Sequence, residues 1–168
     1  MSTLTLEEQA APSTPSANQV VVYAKANGFM YSKDDTGLEL PLNGVSSMTS
    51  WLSTNIALST VAQYFDGPSI AQGTSGTWFV SGSITLRDTA GAASFNAKLW
   101  DGTTVMGSAQ IASTGANNAA SIALSGVLTS PVNDIRISVR DITGTTGQML
   151  LNQTSTSTDC TITALRIG

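Results

Sequence analysis

The sequence predicts an all-β chain, a small N-terminal hairpin module followed by an antiparallel β-sandwich of jelly-roll type. Three observations carry this expectation. Short apolar/polar alternations recur at regular spacing from Val20 to Ile167, the pattern of half-buried strands. Turn residues punctuate them at Asn27-Gly28, Asp34-Asp35-Thr36-Gly37, Asp88-Thr89-Ala90-Gly91, Asp101-Gly102 and Asn133-Asp134, where Asn, Asp and Gly accept the backbone angles of tight reversals. No stretch of ten or more residues carries a convincing helical period.

Residues 1–18 hold Glu7, Glu8, Pro12 and Pro15 among Ala and Ser. They read as an extended anchoring leader that stays unordered until something orders it. Residues 19–42 read as a hairpin, with Val20, Val22 and Ala24 on one face and Val21, Tyr23 and Lys25 on the other. Phe29 and Tyr31 continue an aromatic face on the return strand, and Pro41 closes the module. An isolated hairpin is at best marginally stable in water. Val20, Val22, Tyr23, Phe29 and Tyr31 are therefore expected to be covered by an attachment partner or by other copies of the chain.

Residues 43–54 read as a connector. Val45, Met48, Trp51 and Leu52 have a helix-like spacing that suits one helical turn, plain coil, or packing between copies. Residues 55–168 read as the sandwich. Strands are expected over Ile56 to Tyr64, Trp78 to Arg87, Phe95 to Leu99, Val105 to Ile111, Ala120 to Leu128, Ile135 to Arg140 and Cys160 to Ile167. Asp66-Gly67-Pro68 reads as a turn, and residues 144–158 as a long loop. The last strand is apolar on both faces, which places it centrally in a sheet or, through Leu165 and Ile167, beside an oligomer axis.

Composition removes several function classes. The net charge is −4, and the seven cations are scattered along the sequence, so no basic cluster for a phosphate backbone is expected. Charged residues make up 11% against ~25% in ordinary soluble domains. No basic, apolar leader reads as a signal peptide, and no apolar run suits a transmembrane helix, so membrane insertion is not expected. Histidine is absent and Cys160 is the only cysteine, which removes Ser-His-Asp, Cys-His and CxxC chemistry. Cys160 reads as a buried, inert thiol. The aspartates lie mostly in or beside turns, where they satisfy local backbone. Asp34-Asp35 is too poor in ligands for calcium. No catalytic, metal or cofactor site is expected. Among the aromatics, Trp78 reads as core. Trp100 alternates outward beside the Asp101-Gly102 tip, so with Tyr64 it could line a ligand surface, fill a subunit interface, or cover a sheet edge.

The run EQAAPSTPSANQVVVYAKANGFMYSKDDTGLELPL resembles a module that recurs in tailed-bacteriophage virion proteins. There a Pro/Ser-flanked leader precedes a YAK-x-(N/D)-G-x-x-Y-x-K-D-D-x-G hairpin and a fibre or knob domain. Tyr23, Ala24, Lys25, Gly28, Tyr31, Lys33, Asp34, Asp35 and Gly37 match that pattern. Residues 76–110 resemble, more loosely, the β-knobs of phage fibre and decoration proteins. The resemblance implies a homotrimeric virion structural protein of the head-fibre or capsid-decoration type. Residues 1–42 would bind capsid or tail proteins, and the β-domain would be displayed on the outer surface of a particle assembled in the host cytoplasm. A tail-fibre protein that recognises host surface glycans is the alternative.

Overall fold

Among the described residues of the computed structural model (7–27, 29–42, 46–61, 63–153, 155 and 158–168), every regular element is a β-strand. The chain forms two compact units, divided between Ser46 and Ser47.

The N-terminal unit is a four-stranded sheet of β1 (Glu8–Gln9), β2 (Val20–Lys25), β3 (Met30–Asp34) and β4 (Glu39–Pro41), in that order. β1 lies parallel to β2, and the other pairs are antiparallel. The described part of the leader, residues 7–18, is ordered by the chain's own hairpin, which the sequence did not lead one to expect. Glu8 pairs with Ala24 and Gln9 with Lys25. Lys33 Nζ donates to the Pro12 carbonyl at 2.9 Å, and Asn18 N–H donates to Asp35 Oδ2 at 2.6 Å. Two prolines prevent a helix there; they do not prevent strand addition and loop bonds.

The two hairpin turns are built by Asx side chains. Asn27 Oδ1 accepts from Phe29 N–H at 3.1 Å. Lys25 N–H reaches the Phe29 carbonyl across the reversal; Gly28, expected in a two-residue turn with Asn27, lies outside the described residues. At the second turn Asp34 Oδ1 accepts from Thr36 N–H and Oγ1 and from Leu38 N–H. Gly37 takes φ +88° there, a left-handed conformation that a Cβ would strain.

The second unit runs from Ser47 to Ile167 and packs two sheets face to face. Its strands are β5 (Ser47–Trp51), β6 (Ile56–Leu58), β7 (Phe65–Ile70), β8 (Thr77–Asp88), β9 (Ala93–Trp100), β10 (Val105–Ser113), β11 (Ala120–Thr129), β12 (Ile135–Asp141), β13 (Gly147–Met149) and β14 (Thr161–Arg166). One sheet has the order β10-β9-β12-β7. The other is organised along β8. β14, with β5 beyond it, covers the first half of one β8 edge; β13, with β6 beyond it, covers the second half; β11 runs along the opposite edge.

Alternation sets the core. Trp78, Val80, Ile84, Leu86, Ile162 and Ala164 of the β8 sheet face Phe95, Ala97, Leu99, Ile135, Ile137 and Val139 of the other. Full burial of each large aliphatic side chain contributes roughly 1.5–3 kcal/mol. Gly82 continues the inward series on β8, where a Cβ would sit 2.5 Å from the Thr161 carbonyl oxygen and 2.8 Å from Ile137 Cδ1. The missing side chain therefore lets β14 and the facing sheet close in.

Four other expectations change. Residues 47–51 form a strand paired with β14, not a helical turn; alternation in Ser-Met-Thr-Ser-Trp prevails over the helix-like spacing, and Val45 lies outside the described residues. The strand from Ile56 stops at Leu58, and Ala62 lies outside the described residues. Asp66-Gly67-Pro68 lies inside β7, not in a turn. β7 is an edge strand, where proline's missing donor costs no ladder bond. The 144–158 loop contains β13, and residues 154, 156 and 157 lie outside the described residues. The final strand sits between β5 and β8, inside its sheet.

Candidate functional site

In the N-terminal unit the register settles which hairpin side chains share a face. Val20 pairs with Asp34, Val22 with Ser32, and Tyr23 with Tyr31. Val20 and Val22 therefore point to one side of the sheet, and Tyr23, Tyr31 and Phe29 to the other. Val20, Val22, Tyr23, Phe29 and Tyr31, all expected to be covered by a partner, therefore do not share one surface. Tyr23 is enclosed by its own unit at 1% exposure, which takes it out of the surface set. Its ring stacks on Tyr31 with centroids 6.1 Å apart, and Lys25 Nζ lies 4.3 Å from the Tyr31 centroid. Lys25 pairs with Glu39, and Lys33 Nζ lies 3.8 Å from Glu39 Oε1. The hydrogen bond with Glu39 holds Lys25 above its ordinary range, and Glu39 below its own. Burial pushes Tyr23 up. Val20 (63% exposed), Val22 (49%) and Phe29 (41%) remain open, as do Leu38 and Leu42.

On the outer face of the β8 sheet the register lines up Trp51, Thr161, Ser83 and Ala123, and then Ser47, Leu165, Phe79 and Val127. Trp51, Phe79 and Val127 are exposed, while Leu165 is half-buried. Between these rows Thr49 and Thr163 share a hydroxyl hydrogen bond of 3.1 Å. A shallow depression of about 500 Å³ runs across Phe79, Ser81, Ser83, Ser125 and Thr163, with no charged residue in its lining. Ile167 lies past the end of β14 and is exposed.

On the outer face of the other sheet, Trp100 and Tyr64 do come together, through a lysine. Lys98 Nζ lies 3.1 Å from the Trp100 ring centroid and 4.1 Å from that of Tyr64. Arg136 Cζ lies 5.0 Å from Trp100, and Arg140 Cζ 5.1 Å from Tyr64. Cation and ring alternate in the order Arg136, Trp100, Lys98, Tyr64, Arg140. Trp100 Nε1–H donates to Ser138 Oγ at 2.6 Å, Ser138 Oγ–H donates to Asp66 Oδ1 at 2.6 Å, and Arg136 Nε lies 3.0 Å from Asp66 Oδ2. Burial lowers the Lys98 pKa; Asp66 opposes this, and the two arginines add to it. Three of the seven cations thus gather on one face, which corrects the expectation of scattered charge. The aromatic pair was legible in the sequence. Lys98, Arg136, Arg140 and Asp66 were not singled out with it, because cross-strand register decides their meeting. The signal available was that Arg136, Ser138 and Arg140 alternate outward on one strand.

The turn aspartates are consumed by the fold. Asp101 (1% exposed) accepts from Thr103, Thr104 and Val132 N–H groups at 2.9, 2.6 and 2.8 Å. Asp88 accepts from Ala90 and Gly91 N–H and from Thr146 Oγ1. Burial opposes ionisation of both, but their donors outweigh it and hold them below the usual carboxylate range. Asp141 Oδ1 accepts from Thr143 and Gly144 N–H. Cys160 is fully buried, and its Sγ accepts from Thr85 N–H at 3.2 Å.

No family model matches the chain. No curated protein matches it in sequence. Solved structures with similar architecture include Eiger TNF from S. frugiperda (12% identity, 74% of this chain and 93% of that one, TM-score 0.47). The PRD1 vertex protein P5 is similar over 75% of this chain and 100% of its own (14% identity, TM-score 0.37). The C-terminal CBM6 of the laminarinase LamC from Zobellia galactanivorans is similar over 92% and 94% (13% identity, TM-score 0.30). At these values the likeness is one of β-sandwich architecture alone.

Proposed function

We propose that this chain is a non-enzymatic structural component of a bacteriophage particle: a homotrimeric head-fibre or capsid-decoration protein. Its N-terminal unit attaches it to capsid or tail protein, and the sandwich is displayed on the outer surface. The observation that carries this reading is the separate N-terminal unit. Its residues 7–42 resemble in sequence the hairpin module of phage virion proteins, and it leaves Val20, Val22 and Phe29 open. Partial coverage of such side chains by a partner removes apolar area worth roughly 25 cal/mol per Å². Trp51, Leu165, Phe79 and Val127, brought together on one face of the sandwich beside a depression with no charged lining residue, are suited to contact between copies, with Ile167 beyond them. Deletion of residues 1–18 removes β1, the Pro12 carbonyl that holds Lys33, and the Asn18 bond to Asp35. The truncated chain is expected to remain a soluble trimer by light scattering but to be missing from purified particles. Undiminished incorporation contradicts attachment through this segment. The tail-fibre reading draws on the cation–aromatic face around Trp100, and adsorption of the isolated protein to host cells distinguishes it.

A further inference from the structure

We propose that the outer face of the β10-β9-β12-β7 sheet is a binding site for an acidic polysaccharide, whose carboxylates would sit on Lys98, Arg136 and Arg140. The face holds three cations against Asp66, with Asp134 beside Arg136 at its end, in a chain whose net charge is −4. Asp66 is engaged with Arg136 and Ser138. Among the described residues, neither Lys98 nor Arg140 has a carboxylate within ion-pair distance, and Arg140 Nε is buried without an acceptor. Lys98 feels Asp66 only at a distance, beyond ion-pair range, and the buried Arg140 Nε has only the Tyr64 ring beside it, so both cations are incompletely compensated. An external carboxylate supplies the missing charge and a strong, charge-assisted hydrogen bond.

The layout argues for an extended and sparsely charged ligand. Arg136 and Arg140 lie four residues apart on one strand, about 13 Å at strand rise. Lys98 sits on the adjacent strand opposite Ser138, between them. A row of that length is longer than one small anion needs. Beside it the outward positions are Ser69, Asn96, Ser108 and Gln110, which hydrogen-bond but carry no charge. Hydroxyl-rich sugar chains with intermittent carboxylates match such a face. The dense phosphates of nucleic acid call for a continuous basic track. The two rings keep the cations aligned and desolvated, which limits the side-chain entropy lost on binding. The site belongs to the sandwich alone and holds whether or not the chain is a virion component.

The test is affinity electrophoresis and calorimetry of the full chain with polygalacturonate, its fully methyl-esterified form, and duplex DNA of similar length. Polygalacturonate is expected to bind, more weakly as salt rises, and the uncharged ester is expected not to. Lys98→Met and Arg140→Gln should each weaken binding about tenfold, the scale of one charge-assisted hydrogen bond. Lys98→Arg keeps the charge, though with a bulkier head between the two rings, and should bind more tightly than Lys98→Met. Arg87→Gln, on the other sheet, should bind like the parent. No binding to polygalacturonate, equal binding of the ester, tighter binding to DNA, or indifference to both Lys98→Met and Arg140→Gln would overturn the assignment.

Discussion

Replacing Asp101 by alanine removes one buried carboxylate that holds three backbone donors in two chain segments. Its Oδ1 accepts from Thr103 and Thr104, closing the β9–β10 reversal, and its Oδ2 accepts from Val132, fixing the chain ahead of β12. Hydrogen bonds to a charged group contribute roughly 1.5–3 kcal/mol each when buried. Thr103, Thr104 and Val132 are exposed residues, so water can take over part of the bonding in the variant. The expected loss is about 2–3 kcal/mol in all, a fall in Tm of roughly 6–12 °C for a unit of this size. Asp101→Asn keeps the shape and one acceptor and should lose about half as much. The pH dependence has a definite sign. The folded carboxylate titrates below its ordinary value, so its contribution is complete above the unfolded pKa of about 3.9. It disappears as pH falls through the lower, folded value. Calorimetric melts at pH 7 and at successively lower pH should show the parent and Asp101→Ala converging only in strong acid. Equal Tm values at pH 7, or a gap that widens on acidification, would refute the reasoning.

Gly82→Ala places a methyl group against the Thr161 carbonyl and Ile137 and should cost about 3 kcal/mol, read as a lower denaturant midpoint. Cys160 is buried, its thiol is pushed up by that burial, and it is bonded to Thr85; a thiol reagent should label it only at the rate of unfolding. Tyr23→Phe should cost the N-terminal unit about 1 kcal/mol or less, because Glu39 lies near the buried hydroxyl without a regular hydrogen bond to it. Tyr23→Ala should cost about 3–5 kcal/mol and release the β2 and β3 amides to hydrogen exchange.

Much of the sandwich was legible because period-two alternation survives in single strands. Trp78, Val80, Ile84 and Leu86 announce β8, and Ile135, Ile137 and Val139 announce β12. Short edge elements were not legible. β7 carries Gly67-Pro68, which locally signals a turn, and only its edge position makes that proline tolerable. β13 is three residues long and exists because β8 extends past β14 and needs a partner there. Residues 7–18 lack periodicity, and their order comes from bonds to residues far along the chain, such as Lys33 to Pro12, which no local pattern signals. The candidate surfaces follow the same division. Trp100 and Tyr64 could be picked out as outward aromatics. That Lys98 lies between them, flanked by two arginines, depends on how three strands are registered, which no local pattern encodes. Likewise, the opposed faces of Val20 and Tyr31 follow from the pairing of Tyr23 with Tyr31.

Immunogold imaging of purified phage particles with antibodies raised against the sandwich unit, together with mass spectrometry of the same particles, tests the central claim most directly. A displayed structural protein predicts gold on the outside of intact particles and the chain among their stoichiometric components. Particles free of the chain, or labelled only after disruption, would contradict it.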